Sequence, residues 1–349
     1  MSQSKKKKPD NRAVEKTPAL QTIDRAPRRS WTGFIIASVV IAIILIIVGV
    51  FYYQERIAPF HQPIITVDNI SINMDYFLKR TRLAGADPMS MLDSLAKEQV
   101  IKLEAPRYVG EVSAEDVDQA MRYASNTTSE SEFKAWYRQT LNESGLSDSE
   151  FKDITRTSLL SALLHEYLAE RVPTLAEQIH LHAIILATLE DAEKTRARWE
   201  AGEDFADLAR EVSLDEQSRD KGGDLGWFPR GVLDYNIEYA AFNLSTDNVS
   251  ESLAYYDVSD TSSTEPLYWY LLMVSEKAAA RELDENSLQA LKDNALDDWL
   301  SAEWKLHEIH WHGLHSENFD SETYAWINYQ LAKNETSSTQ TSSGSSEGQ

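Results

Sequence analysis

The sequence predicts an α+β protein carried on one membrane-spanning helix, and three observations lead there. From Thr32 to Tyr53 no residue is charged, and most are aliphatic. From 73 to 171 apolar residues recur at helical spacing behind residue types that cap helix N-termini. From 177 to 278 the pattern becomes strand, two helices, glycine-rich turn, helix and strand, the order of a small antiparallel sheet with surrounding helices.

A helix rises about 1.5 Å per residue, so about 20 apolar residues cross a bilayer. The run 31–53 meets that length, with Trp31 at one end and Tyr52 and Tyr53 at the other as interfacial anchors. Lys5 to Lys8, Arg12, Lys16, Arg25, Arg28 and Arg29 precede it, against Asp10, Glu15 and Asp24. The positive-inside rule then places the N-terminus in the cytoplasm and the chain after Gln54 outside. A cleaved signal peptide would have a shorter apolar region, about 7–15 residues, and a small-residue cleavage site. This run ends Phe51-Tyr52-Tyr53-Gln54-Glu55-Arg56, a poor cleavage site. Residues 1–30, polar and basic, are expected to be disordered.

With 349 residues, 42% of them hydrophobic, the chain is long enough for two folded units. The absence of cysteine excludes disulfides, a thiol nucleophile and a lipid-bearing cysteine. The formal charge is −22 although the first segment is basic, so the outer part is strongly acidic. That favours solubility and argues against nucleic acid as a partner, because phosphates need a basic surface.

After Pro59 and Pro63, residues 64–72 read as strand, turn at Asp68-Asn69, and strand. Helices are expected over 73–83 and 89–105, then over 117–124 behind the N-cap Ser113. Another covers 129–141, with Phe133, Trp136 and Tyr137 on one side. Ser147 followed by Glu150 is a capping-box pattern opening 151–171, and Val172-Pro173 closes it. Three features of this stretch carry a resemblance. They are Val67-Asp68-Asn69-Ile70-Ser71-Ile72, the leucine-rich helix with Lys97-Glu98 near its middle, and Phe133-Lys134-Ala135-Trp136 followed by Gly145-Leu146-Ser147 and Phe151. In that order they resemble the N-terminal domain of SurA-type chaperones and related membrane-attached, PrsA-like foldases. The resemblance implies that 61–176 is an all-helical chaperone domain.

In 177–278 the first strand is Ile179-His180-Leu181-His182-Ala183-Ile184-Ile185-Leu186. Helices follow over about 190–201 and 204–211. Lys221-Gly222-Gly223-Asp224-Leu225-Gly226-Trp227-Phe228-Pro229-Arg230-Gly231 comes next, then a helix with Ala240-Ala241-Phe242 and a strand over 267–274. These motifs resemble the parvulin, or PpiC-type rotamase, peptidyl-prolyl isomerase domain. Rotating an Xaa-Pro bond makes no covalent bond; its barrier of about 20 kcal/mol is amide conjugation. A site lowers it by holding proline in an apolar pocket and binding the twisted amide best. The resemblance adds a polar network of two histidines and a Cys or Asp.

Aligned on the family's His-Ile-Leu, Ala183 falls at the first histidine position and Tyr270 at the second, so both histidines are expected to be replaced. His182 lies one residue early, and by strand alternation it and His180 would point away. Asp215 matches the Cys/Asp position, which leaves Asp215 and Tyr270 as catalytic candidates. Leu233 and Ile237 match the family's methionine and phenylalanine pocket residues, and Trp227 and Phe228 join them as substrate-binding candidates.

Residues 287–308 form another amphipathic pattern, and 323–331 a last helix. By the same resemblance 287–331 packs back on the helical domain, and the Ser/Thr-rich 332–349 is a disordered tail. His307, His310, His312 and His315 could ligate zinc, but His-Glu-Ile-His lacks the i, i+4 spacing of His-Glu-x-x-His. No metal or cofactor is therefore assigned. The resulting reading is a membrane-anchored extracytoplasmic folding factor with a weak or lost isomerase. Its partners are unfolded or proline-containing polypeptides and, through 31–53, the bilayer. The alternatives are a fully active isomerase using Asp215 and the apolar pocket, or a non-catalytic module docking one envelope partner.

Overall fold

The structure, a computed structural model, describes residues 31–256 and 265–343, with side chains described from 34 to 333. The expectations for 1–30 and for the end of the tail lie outside the described residues. The chain divides into Met1–Pro59 and Phe60–Gln349. The first unit contains α1 (Trp31–Arg56), of which Phe34–Arg56 is long and apolar enough to cross a membrane. None of that span is buried. A helix suits lipid because it satisfies its backbone polar groups internally.

The short α2 (Ala58–His61) leads to a hairpin of β1 (Pro63–Val67) and β2 (Ile70–Asn73), with Asp68 at φ 51 in the turn. Six helices follow: α3 (Met74–Ala84), α4 (Pro88–Glu104), α5 (Pro106–Val109), α6 (Ala114–Ser125), α7 (Glu130–Ser144) and α8 (Asp148–Ala169). Their starts are set locally. Asn73 Oδ1 accepts the Tyr76 N–H, and Asp87 caps α4 with Pro88 in its first turn. Ser113 with Asp116, Ser129 with Glu132, and Ser147 with Glu150 each form a reciprocal capping box. Between α3 and α4, the buried Arg80 guanidinium donates to both Glu98 oxygens, at 2.7 and 2.6 Å.

Next come β3 (Leu175–Leu186), α9 (Leu189–Glu200), α10 (Phe205–Val212), β4 (Asp224–Pro229), α11 (Tyr235–Asn243), β5 (Leu253–Tyr255) and β6 (Tyr268–Glu282). The strands form an antiparallel sheet in the order β4-β3-β6-β5. Alternate residues of β3 feed two cores. Ile184 and Leu186 pack with Phe205, Leu208 and Leu271, while Ile179, Leu181 and Ala183 pack with Phe242, Leu272 and Val274. Both long strands exceed their expected lengths, because their outer ends pair with each other from Leu175 opposite Glu282 inward. Those ends are too polar to register as strand in a hydrophobic pattern.

The chain closes with α12 (Glu285–Glu303), β7 (Ile309–Trp311) and α13 (Ser321–Ser343). β7 pairs antiparallel with β1, giving a second sheet in the order β2-β1-β7. Leu300, Leu314 and Ile327 join the core made by Ile64, Phe77, Leu92, Leu95 and Leu164. The C-terminal segment and the first helices thus share one hydrophobic interior. α13 runs past residue 331 to Ser343, since neither Gly nor Pro interrupts it before Gly344.

The histidine-rich segment serves this closure. His307 Nδ1 meets Asp68 Oδ2 at 2.8 Å, and the Glu308 N–H donates to Asp68 Oδ1 at 2.9 Å. His312 Nε2 meets Thr66 Oγ1 at 2.7 Å, and His310 Nε2 the Glu317 carbonyl at 2.7 Å.

Candidate active site

The glycine-rich turn between α10 and β4 positions the site. Gly223 takes φ +78, and a side chain there would lie 2.5 Å from the Ala183 carbonyl oxygen. The turn therefore lies directly against β3, held by the Ala183 N–H donating to Gly223 O at 2.8 Å. Behind α10, the Leu214 N–H donates to Ile185 O at 2.8 Å, and the Ile185 N–H to Ser213 Oγ at 3.2 Å. These bonds tie the Asp215 loop to the point of β3 that pairs with Tyr270. Asp215 itself accepts from the Ser218 hydroxyl and, at 3.2 Å, from the Gln217 N–H.

Five of the seven sequence candidates meet in one cluster. Phe228, Leu233, Ile237 and Tyr270 are partly buried against Ala183, beside Leu253 and Phe242. The Tyr255 ring lies 5.7 Å from that of Tyr270, edge to face. Burial pushes the Tyr270 phenol up, and the nearby Tyr255, Asp234 and Asp215 add to it. The phenol keeps its proton and can donate a hydrogen bond, while the Asp215 loop adds negative charge. Trp227 stands apart from this cluster, stacked on His180 with centroids 5.2 Å apart and under the Arg281 guanidinium at 4.5 Å.

The expectation that the domain had lost both histidines is corrected. His180 and His182 are present on β3, with ring centroids 5.0 Å apart, and close with Asp224 so that one donor atom from each lies within 4.8 Å of the others. The two histidines lie on the β3 face away from Ala183, as alternation requires, since Ile179, Leu181 and Ala183 fill one core and Ile184 and Leu186 the other. The slips beside them put the extra residue on the partner strands, Leu225 on β4 and Ser275 on β6, and leave the β3 period intact.

His180 Nε2 is 2.8 Å from Asp224 Oδ1, and His182 Nε2 is 3.0 Å from Ser275 Oγ. Burial pushes the His182 imidazole down, opposed by the Asp224 charge and reinforced by His180. Burial works to raise Asp224, but the hydrogen bonds from His180 and the Gly226 N–H hold it below the ordinary carboxylate value. The sequence signal for this group was the His-x-His pair; what it lacked was the β3–β4 pairing that brings Asp224 opposite His182.

Residues 185–255 match the rotamase family, described as the PPIC-type PPIASE domain. The chain carries a parvulin-type rotamase domain, a mostly helical scaffold and one apolar N-terminal helix. It resembles bacterial PrsA foldases. The Foldase protein PrsA 2 of Listeria monocytogenes is 28% identical over 225 residues, which is 61% of this chain and 72% of that one. The Foldase protein PrsA of Caldanaerobacter subterraneus is 27% identical over 197 residues, 56% of this chain and 59% of its own length. That of Bacillus subtilis is 43% identical over 75 residues, 21% of this chain and 25% of that one. The crystal structure of a peptidylprolyl isomerase (PrsA) from Bacillus cereus covers 79% of this chain and 92% of its own, at 17% identity and a TM-score of 0.37. The chain thus spans 72% of the first of these curated relatives and 59% of the second.

Proposed function

We propose that this protein is an extracytoplasmic folding factor, anchored by α1, whose rotamase domain actively isomerises Xaa-Pro bonds in unfolded polypeptides. The observation that carries the reading is the meeting of Phe228, Leu233 and Ile237 with the Tyr270 hydroxyl beside the Asp215 loop. The apolar side chains supply a bed for a proline ring. The protonated phenol supplies a donor for the carbonyl oxygen of the twisted amide, whose conjugation with nitrogen is broken. No bond to the protein is needed. The expectation of weakened catalysis rested on both histidines being absent, and two are present on β3; the active reading itself rests on the pocket around Tyr270.

The relatives named as foldases support a folding role, and the basic residues before α1 support an N-terminus in the cytoplasm. In this reading the helical part, 61–176 with 287–331, is a SurA-N-like domain that holds unfolded clients, and 177–278 is the isomerase domain.

The test is NMR exchange of a short Xaa-Pro peptide with the full chain in detergent micelles. Cis/trans exchange should be accelerated well above background. Leu233→Ala should lower the rate at least about tenfold by loss of apolar pocket contact, and Tyr270→Phe about a hundredfold by loss of one donor to the twisted amide. No acceleration by the folded protein would overturn the proposal.

A further inference from the structure

The His180, His182 and Asp224 group has a geometry that the isomerase reading does not use. We infer that these three residues form a binding site for a first-row divalent cation, zinc above all, which clips β3 to β4. Two imidazoles and one carboxylate are a three-ligand set that leaves a fourth position for water. Zinc bonds of about 2.0–2.2 Å place tetrahedral donors roughly 3.3 Å apart. Here one donor pair is at 2.8 Å and all three lie within 4.8 Å, so small side-chain rotations complete the site.

Three independent features support it. His182 Nδ1 is buried without a well-formed hydrogen bond, although the Gly222 backbone lies near the ring. The donors are also held from behind. Ser275 Oγ fixes the His182 ring at 3.0 Å, and the Gly226 N–H holds Asp224 Oδ1 at 2.8 Å. Finally, a cavity lined by Gln178, Trp227, Arg281 and Glu282 opens on the Trp227 ring that stacks on His180. Arg281 opposes a cation, but Glu276, opposite His180 in register, and Glu282 offset it. Among the described residues this is the one group of three or more His, Asp or Glu donors that converges. His307, His312 and His310 are instead engaged with Asp68, Thr66 and the Glu317 carbonyl.

The test is calorimetric titration of zinc chloride into the EDTA-stripped full chain in detergent micelles. One equivalent should bind. Affinity should fall at least about tenfold in His182→Ala and in Asp224→Asn, and by about tenfold in Ser275→Ala, which only orients a ligand. His310→Ala with His312→Ala should change nothing. Cobalt(II) added to the unmutated protein gives a second readout that does not depend on β3 variants folding. A visible spectrum of four-coordinate strength supports the site. Absence of saturable zinc binding, a six-coordinate cobalt spectrum, or binding lost with His310 and His312 but kept in His182→Ala would overturn the inference. None of these outcomes depends on isomerase activity.

Discussion

Replacing Gly223 by alanine tests whether the glycine-rich turn is held by close approach rather than by backbone freedom alone. Gly223 and Gly226 lie in the same motif, at φ +78 and +89. An L-residue forced into that region costs about 1–2 kcal/mol at either position. The surroundings differ. A Cβ at Gly226 meets nothing within 4 Å, whereas at Gly223 it lies 2.5 Å from the Ala183 carbonyl oxygen and 3.2 Å from Ala209 Cβ. The first neighbour is backbone of the central strand and cannot rotate away. Separating the turn from β3 adds an overpacking cost of about 1–3 kcal/mol and strains the Ala183-to-Gly223 hydrogen bond. Gly226→Ala should therefore destabilise the domain by about 1–2 kcal/mol and Gly223→Ala by about 2–5 kcal/mol. Native-state amide exchange of the β3 and β6 residues in the full chain reports the domain's own opening free energy, which a melt of several units would blur. If the two variants lost stability within about 0.5 kcal/mol of each other, the close-approach argument would be refuted.

Glu98→Gln should destabilise the helical part by about 2 kcal/mol, because it leaves the buried Arg80 guanidinium without its charged acceptor; urea unfolding at fixed pH measures it. Ser147→Ala should cost about 1 kcal/mol in the same experiment by removing the capping box of α8. Asp320 is held at about 2 by the Thr323 N–H, the Thr323 hydroxyl and the Ser316 hydroxyl. Its folded value lies below its unfolded one of about 3.9, so its contribution is present above about pH 4 and is lost as the pH falls through about 2. Side-chain carboxyl NMR should find its midpoint near 2, and a midpoint near 4 would show that the cap does not form.

Some of the architecture was legible because its causes are local. The membrane helix follows from composition alone, since a bilayer imposes a length and an apolar character that no tertiary contact needs to supply. The starts of α6 and α8 follow from Ser113 and from Ser147 with Glu150, because a cap acts within one turn. The glycines before Trp227 marked the rotamase scaffold for a related reason: left-handed backbone admits few other residues.

What only the tertiary structure decided is pairing between distant segments and the register of that pairing. β7 is three residues long and carries no strand signal of its own, yet it completes the β1–β2 sheet and draws the C-terminal helices into the first core. The two histidines were readable as neighbours on one strand face, but not their acidic partner. Bringing Asp224 onto them depends on β4 pairing with β3 so that Asp224 lies opposite His182. Periodicity describes one strand against itself; register is a property of two strands together, and no local pattern encodes it.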